Sequence, residues 1–139
     1  MANKLVLEVV TPSRLVVSEE VDLATAPGED GEFGVMANHA PLLASLKIGE
    51  MRVSNDGNVA RYAVSGGFCE VSNNKMTVLA EAAERAEEID VERALRAKER
   101  AEKRLQEAAA GRAEIDEARA MAALQRALTR IKVAKGSSH

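Results

Sequence analysis

The sequence predicts an α+β protein in which a β-sandwich, or flattened barrel, is followed by an antiparallel two-helix hairpin. All 3 prolines and seven of the 9 glycines lie in residues 1–80, where short apolar runs alternate with turn residues. After residue 80 the chain is rich in Ala, Glu, Arg and Lys, which favour helices. Because many short strands with close turns are typical of sandwiches and barrels, we assign the β-domain to the first part.

Eight segments of the first part have the short apolar runs of strands, and several alternate with the period of two expected of one buried face. They are Leu5–Val10, Arg14–Val17, Val21–Ala26, Leu42–Leu46, Glu50–Val53, Val59–Val64, Phe68–Val71 and Met76–Ala80. Asp56–Gly57 predicts a tight hairpin turn, because both central positions of the favoured turn need positive φ. Asn73–Asn74 is a second turn candidate. Pro41 has no N–H to donate, so we expect it to begin or flank a strand.

The second part predicts two short helices that pack along apolar seams. Asp90 and Asp116 each precede a helix-favouring run and can cap its first amides, and Gly111 ends the first run. The first seam is Val91, Ala94, Lys98, Ala101, Leu105 and Ala108; the second is Met121, Leu124, Leu128 and Ile131. Much of the first seam is Ala, which buries little area, so we expect the hairpin to undock or extend at small energetic cost.

Composition excludes several classes of function. The net charge of −3, with 2% aromatic residues and no Trp, argues against a nucleic-acid partner. No apolar run approaches the roughly 18 residues that span a bilayer, so we expect an intracellular chain that contacts membranes only through partners. One cysteine and two histidines, His39 and His139, make no metal site, and we expect no required cofactor.

The sequence offers little support for catalysis. His39 and Cys69 are the only conceivable dyad, and we interpret Cys69 as a small hydrophobic residue in a strand and His39 as a loop residue. Ser65–Gly67 lacks the Lys and the helix that follow a Walker-type phosphate loop. An enzyme is therefore the least supported class.

The arginines of the second part are candidate anion ligands. Arg93 and Arg100 share one helix face, and Arg126 and Arg130 share another. Antiparallel pairing would place four guanidinium groups on one side, where their planar forks suit phosphate oxygens.

Two carboxylates extend this hypothesis to a nucleotide, because Glu84 and Asp90 could accept hydrogen bonds from ribose or an adenine amino group. The alternative is a solvated face with intrahelical pairs, such as Glu92–Arg96 and Glu99–Lys103. On composition alone the solvated face is the favoured interpretation.

Several ordered motifs extend over essentially the whole chain. They are Val9–Pro12, Gly31–Gly34, His39–Leu42, Ser65–Phe68, Glu70–Val71, Val78–Ala80, Ala83–Ala86 and Ile89–Ala94. With these motifs the chain resembles the epsilon-subunit family of bacterial F-type rotary ATP synthases, with Asn38 in place of a frequent Gly as a minor departure. The resemblance implies a ten-stranded β-sandwich over residues 1–86, a helical hairpin over 87–135 and a tail over 136–139.

The resemblance implies a non-catalytic central-stalk subunit that binds gamma and rests on the c-ring, peripheral to the cytoplasmic face of the bacterial inner membrane. By motif match, Glu32 would touch the polar loops of the c-ring and His39 would lie near the same base. Glu29 and Asp30 make this loop acidic, which suits a basic partner loop; the alternative is a solvated turn.

The resemblance also implies regulation. The helix pair would fold on the sandwich or extend along gamma, where Arg126, Arg130 and Lys132 would meet acidic surfaces of the alpha and beta subunits and block ATP hydrolysis. In some members the folded hairpin binds ATP. The matching positions here are Glu84, Ile89, Asp90, Arg93, Ala94, Arg100, Arg126 and Arg130.

The pattern Ile-Asp-x-x-Arg-Ala occurs twice, at Ile89–Ala94 and at Ile115–Ala120. An Asp cap after an apolar residue is a general way to open a helix, so the hexapeptide alone is weak support for ATP. The residues that distinguish an ATP site from a general helix start are the distal arginines Arg100, Arg126 and Arg130. A free-standing nucleotide sensor is the alternative function. Binding to gamma would distinguish the central-stalk subunit from such a sensor.

Overall fold

The computed structural model describes residues 3–112 and 114–136, and the chain divides into two compact units, 1–85 and 86–139. His139 and most of the predicted tail lie outside the described residues. The strands of the first unit are β1 (Leu5–Val10), β2 (Leu15–Val21), β3 (Leu23–Gly28), β4 (Gly31–Met36), β5 (Leu42–Asn55), β6 (Asn58–Ser72), β7 (Lys75–Ala80) and β8 (Ala83–Arg85). The second unit contains a 3₁₀ turn (Ala86–Glu88), α1 (Val91–Ala109) and α2 (Glu117–Ala134).

The strands of the first unit are hydrogen-bonded in the order β2-β1-β7-β6-β5-β3-β4, with β8 on β6. The pair β1–β7 is parallel and the other described pairs are antiparallel. The long β5–β6 hairpin runs from the pair Leu42–Val71 to the pair Asn55–Asn58. The end of β6 from Gly67 to Ser72 pairs with β7, and the three residues from Tyr62 to Val64 pair with β8, so β6 links both strands to β5.

The described strands number eight, where the resemblance implied ten. Leu42–Leu46 and Glu50–Val53 are two halves of β5, and Val59–Val64 and Phe68–Val71 are two halves of β6. The ladder between β5 and β6 continues through the residues between these halves, so the glycines there bend the strands without ending them.

Two strands were not predicted, and one boundary was wrong. The short strands β4 and β8 lack a sustained apolar alternation, and they form because β3 and β6 offer them a pairing edge. Val21 ends β2 instead of opening β3, since the chain bends at Asp22. The Asp22 carboxylate accepts a hydrogen bond from the Asp56 N–H (2.8 Å), and the Asp22 N–H donates to the Ser54 carbonyl (2.9 Å).

Both predicted tight turns are confirmed. Asp56 and Gly57 have φ values of 53° and 83°, and Asn73 and Asn74 have φ values of 51° and 63°. Strand β5 begins directly after Pro41, as its missing N–H predicted. At Gly67, φ is 125° and a Cβ would collide with the Leu79 carbonyl oxygen, so only glycine fits where β6 passes β7.

The core of the first unit consists of large apolar side chains that alternate along the strands. Leu5, Leu7 and Val9 of β1 are fully buried, as are Met76 and Val78 of β7. Burial of side chains of this size contributes about 1.5–3 kcal/mol each, so the sandwich has a substantial hydrophobic driving force.

Both helices of the second unit begin as the sequence predicted. The carboxylates of Asp90 and Asp116 accept hydrogen bonds from the N–H groups of Arg93 and Arg119, each at 3.0 Å. Gly111, with φ of 91°, lies just after α1 and permits the chain to leave the helix.

The predicted seam of α1 is confirmed, and that of α2 is correct only at Leu124 and Ile131, which are half-buried. On α1, Ala94 and Ala101 are buried and the remaining seam positions are half-buried. On α2, Met121 and Leu128 are 46% and 45% exposed, while the buried residues are Ala120, Ala127 and Val133. A stripe of small residues lets a helix approach its neighbours closely, and this geometry overrides the spacing of the largest side chains.

Candidate functional site

The helical unit contains a groove of about 680 Å³ that is lined by both helices and the turn between them. Its floor is made of the alanine side chains Ala97, Ala101, Ala120 and Ala123. Its charged lining consists of Arg100, Arg104, Glu107, Glu114, Asp116, Arg119 and Arg126. Because the floor residues are small, the long arginine side chains border a space large enough for a phosphate-bearing ligand.

The structure brings together two of the predicted nucleotide ligands, Arg100 and Arg126, one from each helix. The other predicted residues of the second unit, Ile89, Asp90, Arg93, Ala94 and Arg130, do not line this groove. The Asp90 carboxylate caps α1, while Ile89 and Ala94 are buried. Glu84 belongs to β8 of the first unit.

Arg104 and Arg119 line the groove and were absent from the sequence prediction. A usable signal existed, because Arg119 is the arginine of the second Ile-Asp-x-x-Arg-Ala copy. From the sequence alone, that copy is interpreted only as the start of a helix. That Arg119 shares a groove with the arginines of α1 follows only from the pairing of the two helices.

Throughout the described part of the chain, no hydrogen bond or ion pair engages the guanidinium groups of Arg100, Arg104, Arg119 or Arg126. The intrahelical pairs Glu92–Arg96 and Glu99–Lys103 are likewise not formed there. Four guanidinium groups that form no ion pair among the described residues therefore keep N–H donors for an anion from solution.

Three carboxylates moderate the positive charge of the groove. The Asp116 carboxylate is engaged as the α2 cap, and the Glu114 Oε1 lies 3.8 Å from the Arg112 Nη1. Glu107 is half-buried near the end of α1. A groove lined by both cationic and anionic side chains suits a ligand that carries hydroxyl or amino donors as well as phosphate.

The acidic loop of the first unit is the turn between β3 and β4. Glu29 and Asp30 are exposed and, with the first residues of β5, line a smaller groove of about 430 Å³. The Glu29 N–H donates to the Ser45 carbonyl at 2.9 Å, which fixes the turn against β5. The two exposed carboxylates are thus held on a well-defined turn.

Glu32 differs from these two residues because the sandwich already engages it. Its Oε1 lies 2.9 Å from the Arg52 Nη2, and this hydrogen bond raises the pKa of Arg52. Glu50, whose side chain is 8% exposed, accepts hydrogen bonds from both Arg52 (3.4 Å) and Arg61 (3.2 Å). The carboxylate predicted to touch a partner is therefore anchored in an ion-pair network.

His39 and Cys69 lack the features of a catalytic pair. The His39 ring is half-buried, with its Nδ1 2.6 Å from the Ala40 carbonyl oxygen. Cys69 is fully buried in β6, and burial raises the pKa of its thiol to about 11. A thiol that stays protonated at neutral pH is a poor nucleophile, in agreement with its interpretation as a core residue.

Among residues 3–112 and 114–136, no three His, Cys, Asp or Glu side chains group as metal ligands would. Neither helix there has the length and apolar character needed to cross a bilayer.

Comparison with protein families gives two matches that together cover nearly the whole chain. Residues 4–86 match the β-sandwich domain of the ATP synthase delta/epsilon chain, and residues 87–135 match its long alpha-helix domain. The ATP synthase epsilon chain of Carboxydothermus hydrogenoformans is 58% identical over 105 residues, which are 76% of this chain and 78% of that protein. The epsilon chain of Desulforamulus reducens is 54% identical over 105 residues, 76% of this chain and 80% of that one.

Solved structures give the same result for the fold. A chain of the Euglena gracilis mitochondrial ATP synthase, solved as OSCP/F1/c-ring, has a TM-score of 0.76 and 25% identity, covering 90% of this chain and 78% of that one. A chain of the Tetrahymena thermophila mitochondrial ATP synthase central stalk and c-ring has a TM-score of 0.55 and 13% identity, covering 99% and 100%. At that identity the second likeness concerns the fold alone.

Proposed function

This chain belongs to the ATP synthase delta/epsilon family, and we propose that it couples gamma to the c-ring and restrains ATP hydrolysis through its helix pair. It is a non-catalytic subunit of ATP synthase. In the proposed assembly the sandwich binds gamma and the c-ring at the cytoplasmic face of the bacterial inner membrane. The helix pair acts on the alpha and beta subunits.

The sandwich supports the coupling role through the turn between β3 and β4. Glu29 and Asp30 project two exposed carboxylates from a turn held against β5, next to the smaller groove. This surface is complementary to a basic loop, and the anchored Glu32 extends the negative charge along β4. His39 follows β4 and contributes a half-buried ring to the same proposed contact region.

The helix pair supports the regulatory role because Arg100 and Arg126 converge on one groove and have no internal counter-ion among the described residues. This single observation favours ATP as a regulatory ligand, since paired guanidinium forks suit its phosphate oxygens. Within the helical unit, the remaining residues of the proposed ATP site are Ile89, Asp90, Arg93, Ala94 and Arg130.

The mechanism is a population shift between a folded and an extended hairpin. A ligand that binds only the folded form stabilises it by RT ln(1 + [L]/Kd), or about 2.7 kcal/mol at a hundredfold excess over Kd. The helices bury mainly alanines, which give a small packing energy, so a contribution of this size is enough to change the dominant state.

Titration of the full chain with ATP by calorimetry tests this proposal. We expect Arg126→Ala to lower the affinity for ATP by about tenfold or more, because a charge-assisted hydrogen bond contributes about 1.5–3 kcal/mol. Arg96→Ala is the matched control, since Arg96 is an exposed arginine of α1 outside the groove. Equal affinities of Arg126→Ala and the unsubstituted chain would remove Arg126 from the site.

A free-standing nucleotide sensor would bind ATP without a partner. Membership of the family favours the stalk subunit over this alternative. Co-purification of the full chain with gamma separates the two, because a sensor would not retain gamma.

A further inference from the structure

The internal repeat of the helical unit extends well beyond the shared hexapeptide. Arg100 and Arg104 follow Asp90 at the same intervals at which Arg126 and Arg130 follow Asp116. The alanines that each helix buries, Ala94 and Ala101 on α1 and Ala120 and Ala127 on α2, also occupy equivalent positions. The two helices are therefore versions of one unit, with equivalent caps, buried stripes and arginines.

An antiparallel pair of equivalent helices has two equivalent ends, related by an approximate two-fold axis between the helices. Equivalence predicts that at each end the capped start of one helix lies near the later arginines of the other. For the end away from the turn, it predicts Arg93 of α1 beside Arg126 and Arg130 of α2, the residues of the proposed ATP site. The other end, next to the turn, combines Arg119 of α2 with Arg100 and Arg104 of α1.

The groove described above belongs to the end next to the turn. It is lined by Arg100, Arg104 and Arg119 and by the shared Arg126, whereas Arg93 and Arg130 do not line it. Across the described residues none of the four lining guanidinium groups has a hydrogen-bond or ion-pair partner. Four such groups around about 680 Å³, beside the carboxylates of Glu107, Glu114 and Asp116, supply enough N–H donors for several phosphate oxygens.

We propose that the turn end of the helix pair is a second site for a phosphate-chain ligand, built by the second copy of the repeat. Arg104 and Arg119 are its specific ligands, and Arg100 and Arg126 lie where both ends can use them. The Glu107 carboxylate would accept hydrogen bonds from the hydroxyl or amino groups of a nucleotide. The second site shares this groove, Arg100 and Arg126 with the ATP site proposed above, and it adds Arg104 and Arg119, which the ATP site does not use.

The test uses the full chain and two probes, ATP and inorganic triphosphate, each titrated by calorimetry and by backbone amide NMR. We expect both probes to shift the amides of Ile115 and Arg119. The double variant Arg104→Ala/Arg119→Ala should lose these shifts and bind the probes at this end at least about tenfold more weakly, because two charge-assisted contacts are removed. Arg96→Ala is the matched control and should behave as the unsubstituted chain.

Comparison of the two probes identifies which part of the ligand the site binds. Equal affinity for ATP and inorganic triphosphate assigns the site to the phosphate chain alone, and tighter binding of ATP adds a nucleoside contact; both results support the proposal. Unchanged affinity and unchanged Ile115 and Arg119 shifts in the double variant would overturn it.

The Arg93→Ala variant separates this proposal from the function proposed above. If Arg93→Ala weakens ATP binding and the double variant does not, the ATP site stands and the second site fails. If only the double variant weakens binding, the second site stands and the site at Asp90 and Arg93 fails.

Discussion

The sandwich and the helix pair are stabilised by side chains of very different size. The sandwich buries Tyr62, Met51 and Leu7 among a continuous apolar cluster, whereas the helices bury mainly alanines, such as Ala101 and Ala127. At about 25 cal/mol per Å² the first kind of core is far more stabilising than the second. The difference shows that the sandwich is held together by a much larger apolar core than the helix pair.

The two regions also use charge differently. In the sandwich, Lys4 Nζ lies 2.9 Å from carboxylate oxygens of both Asp22 and Asp56, and Arg52 bridges Glu32 and Glu50. In the groove of the helix pair, the described arginines lack such partners. Charges of the sandwich hold its own strands together, while those of the groove remain available for a ligand.

Removal of the helix pair should have the largest effect on function. A chain ending at Glu88 retains all eight strands and their core, so we expect a folded sandwich that assembles with gamma. Because the regulatory element is gone, ATP hydrolysis by the assembled complex should no longer be restrained. Hydrolysis assays with co-purification of gamma provide the measurement, and a truncated complex with full inhibition would contradict the proposed role.

Truncation of one apolar side chain in each region compares their packing directly. We expect Leu7→Ala to lower the free energy of unfolding by about 2–5 kcal/mol, because Leu7 is fully buried. Leu128→Ala should change it by less than about 0.5 kcal/mol, because Leu128 is 45% exposed and lies outside the buried stripe. Denaturant unfolding gives both values, and equal losses would show that Leu128 does pack as the sequence first predicted.

Removal of a helix cap should affect the helix pair alone. Asp90→Ala and Asp116→Ala each delete one hydrogen bond to the start of a helix, at a cost of about 1 kcal/mol. Amide hydrogen exchange should increase in the substituted helix while the strands keep their protection. Faster exchange in β1 or β7 would mean that the two regions unfold as one unit.

The ion pair of Lys4 should give the smallest effect, visible as pH dependence. The hydrogen bond from Lys4 lowers the pKa of Asp22, so this stabilisation is present above the unfolded pKa of Asp22 and is lost as pH falls through the folded value. The pKa of Lys4 is raised, so at the basic end its contribution is lost only as pH rises through that raised value. In the Lys4→Met variant, the free energy of unfolding should depend less on pH at both the acid and the basic end of the curve. If the acid dependence is unchanged, it arises from carboxylates other than Asp22.

Local chemistry in the sequence was enough to predict the elements that depend on it. Asp56–Gly57 makes the predicted turn because its backbone preference is local, and Asp90 and Asp116 cap their helices for the same reason. The short strand β8 could not be predicted, because its formation depends on an edge that β6 provides.

The amino-acid sequence by itself determined the order of a β-domain and two helices, the turns, the caps and membership of the family, since each depends on residues close together along the chain. Only the tertiary structure decided that β5 and β6 are continuous, that Arg52 engages Glu32, that α2 buries alanines instead of Met121, and that Arg104 and Arg119 border one groove. These features depend on pairs of residues far apart in sequence, whose meeting is set by strand register and by how closely two helices approach.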